Sequence, residues 1–164
     1  MRNAFQYLGV AAATGFGLGF SPVASGTAGT LLGIPIMLVL IPVWNGAILG
    51  QICCGMVLAL IAVPLCGLAE KTFRHKDDRR IVADEYCTFP ICMIGLPVNA
   101  PVLALAFITN RVFDIIKPPP AYQAQKLPGG LGIVADDAIS AIYSLALNHV
   151  LFRLLMKYGF IYGS

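Results

Sequence analysis

Charge is what this sequence lacks most: between Arg2 and Glu70 there is not one charged side chain. A water-soluble domain is not built that way, since too little polar surface would remain to cover its core. With 58% hydrophobic residues, 12% charged residues and a mean hydropathy of +0.80, most of the chain is suited to a bilayer. Histidine is also scarce, and the only two, His75 and His149, carry no pattern that points to chemistry; His149 reads as a packing residue. The five cysteines, Cys53, Cys54, Cys66, Cys87 and Cys92, form no Cys-x-x-Cys pair and have no histidine close by in sequence. That argues against a zinc site and leaves them as buried packing residues. The net charge is only +3, and five of the eleven basic residues, Lys71, Arg74, Lys76, Arg79 and Arg80, share one short stretch. This is no nucleic-acid footprint; the positive-inside rule makes it a cytoplasmic loop beside anionic headgroups. Arg2 before an apolar run, with Val23-Ala24-Ser25 beyond it, imitates a cleavable leader, but cleavage there would cut through the most informative loop.

The remaining pattern predicts an all-α fold, a polytopic membrane helix bundle forming one domain over residues 1–164, with short or re-entrant helices and two glycine-rich loops at the cytoplasmic face. Residues 4–19 are apolar and glycine-rich and predict a short or re-entrant helix. Phe20 to Thr30 holds turn formers and small hydroxyl residues and reads as a break. Leu31 to Trp44 and Ala47 to Ala69 predict two spans joined by an Asn45-Gly46 turn. Tyr86 to Leu96 and Val102 to Ile116 form a shorter pair around Pro97 and Pro101. Pro118-Pro119-Pro120 stops the helix, Leu127 to Gly132 is the second glycine-rich loop, and a final helix runs from about Asp136 to Lys157. In that helix Asp136, Ser140, Ser144 and Asn148 recur every four residues, so this polar stripe faces into the bundle.

Acids are few and their placement is informative. Of eight, five sit at predicted span ends: Asp84, Glu85, Asp114, Asp136 and Asp137. A carboxylate at a helix centre in a bilayer costs roughly 2.5–3.5 kcal/mol on insertion scales, so such acids are paired, hydrated or bound to a cation. Five returning to one membrane face suggest a shared cation. Helix neighbours point about 100° apart, so within Asp84-Glu85 and Asp136-Asp137 one acid ligates while the other pairs; helix capping at the interface explains either pair taken alone. Asn110, Arg111, Asp114 and Lys117 share one side of a helix end, either neutralising one another or offering Arg111 and Lys117 to a phosphate. Gly26, Gly29, Gly129, Gly130 and Gly132 are able to aim backbone N–H groups at an anion, although glycine in membranes more often serves turns and close packing.

Phosphate chemistry by other routes is excluded. No cysteine has an arginine six positions later, no acids stand as Asp-x-Asp, and two isolated histidines cannot form a histidine-dependent site. Metal-activated water remains. A small ion or solute transporter using intramembrane carboxylates is the alternative, and it leaves Arg111 and Lys117 unexplained.

Five motifs in order carry a resemblance: Gly17-Leu18-Gly19-Phe20-Ser21-Pro22; Ser25-Gly26-Thr27-Ala28-Gly29-Thr30; Asp84-Glu85; Arg111-x-x-Asp114-x-x-Lys117-Pro118; and Gly129-Gly130-Leu131-Gly132-Ile133-Val134-Ala135-Asp136-Asp137. From about Gly15 to Ser140 the chain resembles the phosphatidylglycerophosphatase A family. The resemblance implies a Mg²⁺-dependent lipid phosphatase of the bacterial inner membrane, multi-pass with its site toward the cytoplasm, releasing inorganic phosphate from phosphatidylglycerol phosphate. It further implies catalytic roles for Asp84, Glu85, Asp136 and Asp137, Mg²⁺ on these with Asp114, and phosphate on Arg111, Lys117, Gly26, Thr27, Thr30, Gly129 and Gly130. Its partners are the lipid substrate and the membrane, with no nucleic acid; an oligomer is possible but not readable. One departure is Ser25, where the family usually has a second proline before Gly-Thr.

Overall fold

A computed structural model of the chain describes residues 4–44 and 46–159. Among the described residues every regular element is helical, without strands: α1 (Ala4–Ala13), a 3-10 segment (Gly15–Phe20), α2 (Ser25–Trp44), α3 (Ile48–Phe73), α4 (Ala83–Thr88) running into a 3-10 turn (Phe89–Met93), α5 (Ala100–Ile116), a single turn α6 (Ala121–Ala124) and α7 (Gly130–Lys157). Three of these, α2, α3 and α7, are long and apolar enough to cross a membrane. At about 1.5 Å per residue a bilayer core of about 30 Å takes some 20 residues, so α4 with its 3-10 turn is too short to cross.

The outer surface is apolar. Val39, Leu49, Leu60, Ile108, Ile115 and Val150 are all exposed, as lipid-facing residues should be. Cys53 is exposed too, so it belongs to the outer face of α3 and not to the packing core expected for it; Cys54 is half-buried, and Cys66, Cys87 and Cys92 are buried as expected. Lipid tails are as apolar as leucine, so helix association rests on close packing and hydrogen bonds. The polar stripe of α7 supplies the bonds. Ser144 and Asn148 are wholly buried, Thr109 of α5 donates to the Asn148 amide oxygen at 2.7 Å, and the Asn148 amide donates to the Cys92 carbonyl at 3.1 Å. One asparagine thereby ties α5 and α7 to the short 3-10 turn. His149 has a packing contact, its ring nitrogen lying 2.9 Å from the Ile94 carbonyl oxygen.

Helix boundaries depart from expectation at two glycine-rich stretches. Residues 25–30, expected as part of a break, are the first turns of α2, and Gly130 to Gly132, expected as loop, open α7 six residues before Asp136. The cause in α7 is packing against α3. A Cβ on Gly130 would stand 2.0 Å from the Val63 carbonyl oxygen and 2.6 Å from the Gly67 nitrogen, so the glycine lets the two backbones touch. Asn45 of the expected Asn45-Gly46 turn lies outside the described residues, while Gly46 has the positive φ of +74° that such a turn uses.

Chain direction sets the site. The start of α2, the end of α3, the start of α4, the end of α5 and the start of α7 meet at one end of the bundle, joined by the basic loop of residues 74–82. There the Val82 N–H donates to the Ala13 carbonyl at 2.9 Å and the Tyr86 hydroxyl to the Ala12 carbonyl at 2.9 Å, fixing α1 to the start of α4.

Candidate active site

Asp84 and Glu85 stand in the first turn of α4, where the free N–H groups of a helix start favour negative charge. Asp84 is 6% exposed. Asp84 Oδ1 and Glu85 Oε2 are buried without a hydrogen-bond partner, an expensive state for a carboxylate. Burial first, then the adjacent Glu85 carboxylate, push the Asp84 carboxyl well above its usual range; burial, then Asp137, do the same to Glu85.

The Asp84 and Glu85 carboxylates bear on each other electrostatically, as do those of Asp114 and Asp137. Asp84, Asp114 and Asp137 all bear on one another electrostatically, so acids from α4, α5 and α7 converge. Among the described residues no three acidic, histidine or cysteine side chains stand as a ready metal cage. The acids meet in pairs. A hard ion such as Mg²⁺ takes one or two carboxylates and keeps several waters, so paired oxygen donors with two unpartnered buried atoms fit its chemistry.

Cations interleave with these acids. Arg111 pairs with Asp114 one turn on, at 2.8 Å, and its Nη1 donates to the Thr30 hydroxyl at 3.2 Å. Arg111 Nε is buried without a partner. Lys117 leaves its own helix and pairs with Asp136, whose side chain is 2% exposed. Its left-handed backbone, φ +46°, ends α5 and turns the side chain toward α7.

The first turns of α2 close one wall. Thr30 donates to the Gly26 carbonyl at 3.0 Å, Thr27 is half-buried beside them, and a Cβ on Gly26 would lie 2.4 Å from Glu85 Oε1 and 2.9 Å from Arg111 Nη2. Ser25, in place of the proline, donates its hydroxyl to the Arg79 carbonyl at 2.7 Å and so tethers the start of α2 to the basic loop. Gly129 caps α7 with φ +61°, where a Cβ would come 3.6 Å from Glu70 Oε2. Gly130 lies in the backbone contact with α3.

Two residues here carry no role in the sequence reading, although Asn110 is grouped there with Arg111, Asp114 and Lys117. The Asn110 Oδ1 atom is buried and unpartnered, one turn before Asp114. Asp77 of the basic loop bears electrostatically on both Asp84 and Asp136. Asn110 had a signal in its four-residue step to Asp114; Asp77 had none, because it sits in a run of bases that it would simply neutralise.

A profile of the phosphatidylglycerophosphatase A family matches residues 11–152. Phosphatidylglycerophosphatase A of Escherichia coli is 31% identical over 153 residues, covering 90% of this chain and 83% of that protein. The Haemophilus influenzae protein of the same name is 35% identical over 139 residues, covering 81% and 82%. A Bacteroides thetaiotaomicron protein provisionally named a phosphatidylinositol-3-phosphatase is 33% identical over 152 residues, covering 87% and 92%. No solved structure matches the chain. Since the profile match, from residue 11 to 152, takes in every acid and cation gathered at this end of the bundle, the chain belongs to the phosphatidylglycerophosphatase A family.

Proposed function

We propose that the protein is a lipid phosphatase that hydrolyses phosphatidylglycerol phosphate to phosphatidylglycerol and inorganic phosphate at the cytoplasmic face of a bacterial inner membrane. One observation carries this beyond family membership: Asp84 and Glu85 hold unpartnered buried oxygens, Arg111 lies with Glu85 against Gly26, and Lys117 pairs with Asp136, all at the end of the bundle where the basic loop lies. The proteins named above act, by their names, on lipids whose headgroup ends in a phosphomonoester.

Asp84 and Glu85, with Asp114, Asp136 and Asp137, are the residues that would hold Mg²⁺. When bound, the ion would supply charge neutralisation and an acidified water. The chain's own groups do the rest. The α2 start, with Gly26 leaving its N–H groups uncovered, offers a positive helix end to phosphate oxygens. Arg111, held by Thr30 and Asp114, presents a planar donor fork, and Lys117 adds a point charge that stabilises the developing negative charge. A carboxylate of the Asp84 and Glu85 pair accepts the proton of the attacking water. Detergent-purified protein should release inorganic phosphate from phosphatidylglycerol phosphate, lose this on chelation and regain it with Mg²⁺. Phosphate release untouched by chelator would overturn the metal assignment, and none under any condition would overturn the reaction.

A further inference from the structure

Beside the acid cluster lies a second cationic feature that the reaction above does not use. An open cavity of about 370 Å³ is lined by Lys76, Asp77, Tyr122, Gln125 and Lys126, within the span of small-molecule clefts, roughly 300–1,000 Å³. Its two lysines come from different segments, the basic loop and the turn after α6. Among the described residues neither is in an ion pair. The Lys126 ammonium lies 5.0 Å from the centre of the Tyr122 ring, which holds it over the cavity wall. Asp77, the one carboxylate here, accepts from the Gln125 amide at 2.6 Å and so clasps the basic loop to α6. A Cβ on Gly132, one turn before Asp136, would stand 3.0 Å from the Gln125 carbonyl oxygen, so the cavity adjoins the start of α7 that carries Asp136 and Asp137.

The neighbouring cavity of about 490 Å³, lined by His75, Asp77, Asp78, Arg79 and Arg80, is a poorer anion site. Its Arg80 is bound by both Asp78 oxygens and lies over the Phe73 ring, 3.9 Å from its centre.

The geometry points to a binding subsite for a second, internal phosphate of the lipid headgroup, held by Lys76 and Lys126 while the terminal phosphate is hydrolysed. This rests on the lipid phosphatase reading and adds a selectivity to it: lipids with a phosphodiester inside the headgroup are preferred over lipids whose single phosphate sits directly on the diacylglycerol. A lysine pair recognises a phosphodiester by charge, without the planar geometry an arginine would impose.

The test uses full-length protein in neutral detergent micelles. In the double variant Lys76→Gln with Lys126→Gln, KM for phosphatidylglycerol phosphate should rise about tenfold, the size of one lost charge-assisted contact, with kcat moving less than about threefold. The inhibition constant of phosphatidic acid, which has no internal phosphate, should stay within about twofold on the same contact arithmetic. The paired change to arginine should keep KM low, which separates lost charge from lost folding. An unchanged KM in the glutamine variant overturns the subsite. So does an equal weakening of phosphatidic acid, which would make the lysines a general attractor, or a rise in KM seen only when phosphatidylglycerol is added to the micelles, which would make the occupant a bystander lipid. Failure of the parent reading is distinct: the unaltered protein would then release no phosphate.

Discussion

At Gly26 and Gly130 an added methyl would strike different kinds of atom, and the difference predicts opposite phenotypes. On Gly26 it meets the tips of Glu85 and Arg111, at 2.4 and 2.9 Å, which are free to swing aside. Gly26→Ala should therefore fold, with its melting temperature changed by only a few degrees, yet lose about a hundredfold in kcat/KM because the swing displaces site groups by about an ångström. On Gly130 it meets the Val63 carbonyl and the Gly67 nitrogen, which are backbone and cannot step back. Gly130→Ala should melt far lower or fail to accumulate, since over-packing costs about 1–3 kcal/mol even where side chains can adjust. Detergent melting curves beside turnover numbers separate the two; a stable, inactive Gly130→Ala would make that glycine part of the site after all. Lys117 gives a related contrast. Lys117→Met strands the buried Asp136 carboxylate and should cost about 3–5 kcal/mol, whereas adding Asp136→Asn should restore most of the stability without restoring activity. If the single variant is as stable as the parent, the ion pair has no structural role.

Among the elements, the basic loop is one whose order depends on pH. Arg80 holds the Asp78 carboxyl down from 3.8 to about 2, chiefly by hydrogen bonding to it. A depressed carboxyl pKa stabilises the folded arrangement above the ordinary value and ceases to do so as pH falls through the lowered one. The loop should therefore remain braced at pH 4 and loosen toward pH 2, whereas Asp78→Asn should be loose at pH 7. Hydrogen exchange of residues 74–82 reads this directly; protection that fades already at pH 5 would exclude the brace. Deeper in the bundle, Asn148→Leu should remove the tie from α7 to α5 and the Cys92 carbonyl, costing about 1–2 kcal/mol with turnover per folded molecule retained. Element boundaries show why sequence reading stopped where it did. Apolar length revealed α2, α3 and α7, and the four-residue recurrence from Asp136 to Asn148 revealed the buried face of α7. Neither signal reveals that Ser25 to Thr30 is helix, because those residues have turn chemistry and the contacts that make them helical, Val82 and Glu85, are far away in sequence. The convergence of Asp84, Asp114 and Asp137 was legible because charge is so rare here that its placement stands out. Asp77 and the lysine cavity were not, because within a dense basic run every charge has a trivial explanation.

Over the whole molecule, chain direction makes a claim about sidedness. The α2 and α7 starts and the α3 and α5 ends carry the site, so the turn at Gly46 between α2 and α3 must lie at the opposite end. The site end carries Lys71, Arg74, Lys76, Arg79 and Arg80, and basic residues in short loops stay on the cytoplasmic side. With α2 and α3 spanning, Gly46 then faces away from the cytoplasm. In a background with Cys53 and Cys54 replaced by alanine, Gly46→Cys in intact spheroplasts should react with a membrane-impermeant maleimide, and Arg79→Cys should react only after the membrane is opened. The three remaining cysteines are buried and should stay silent in both states. Labelling of Arg79→Cys from outside would put the phosphate-cleaving end on the far side of the membrane. The same result with Gly46→Cys silent would invert the topology as a whole. Labelling of both from outside would mean that α2 and α3 do not span, and the bundle would then have to lie in one leaflet with its exposed leucines and valines along the interface.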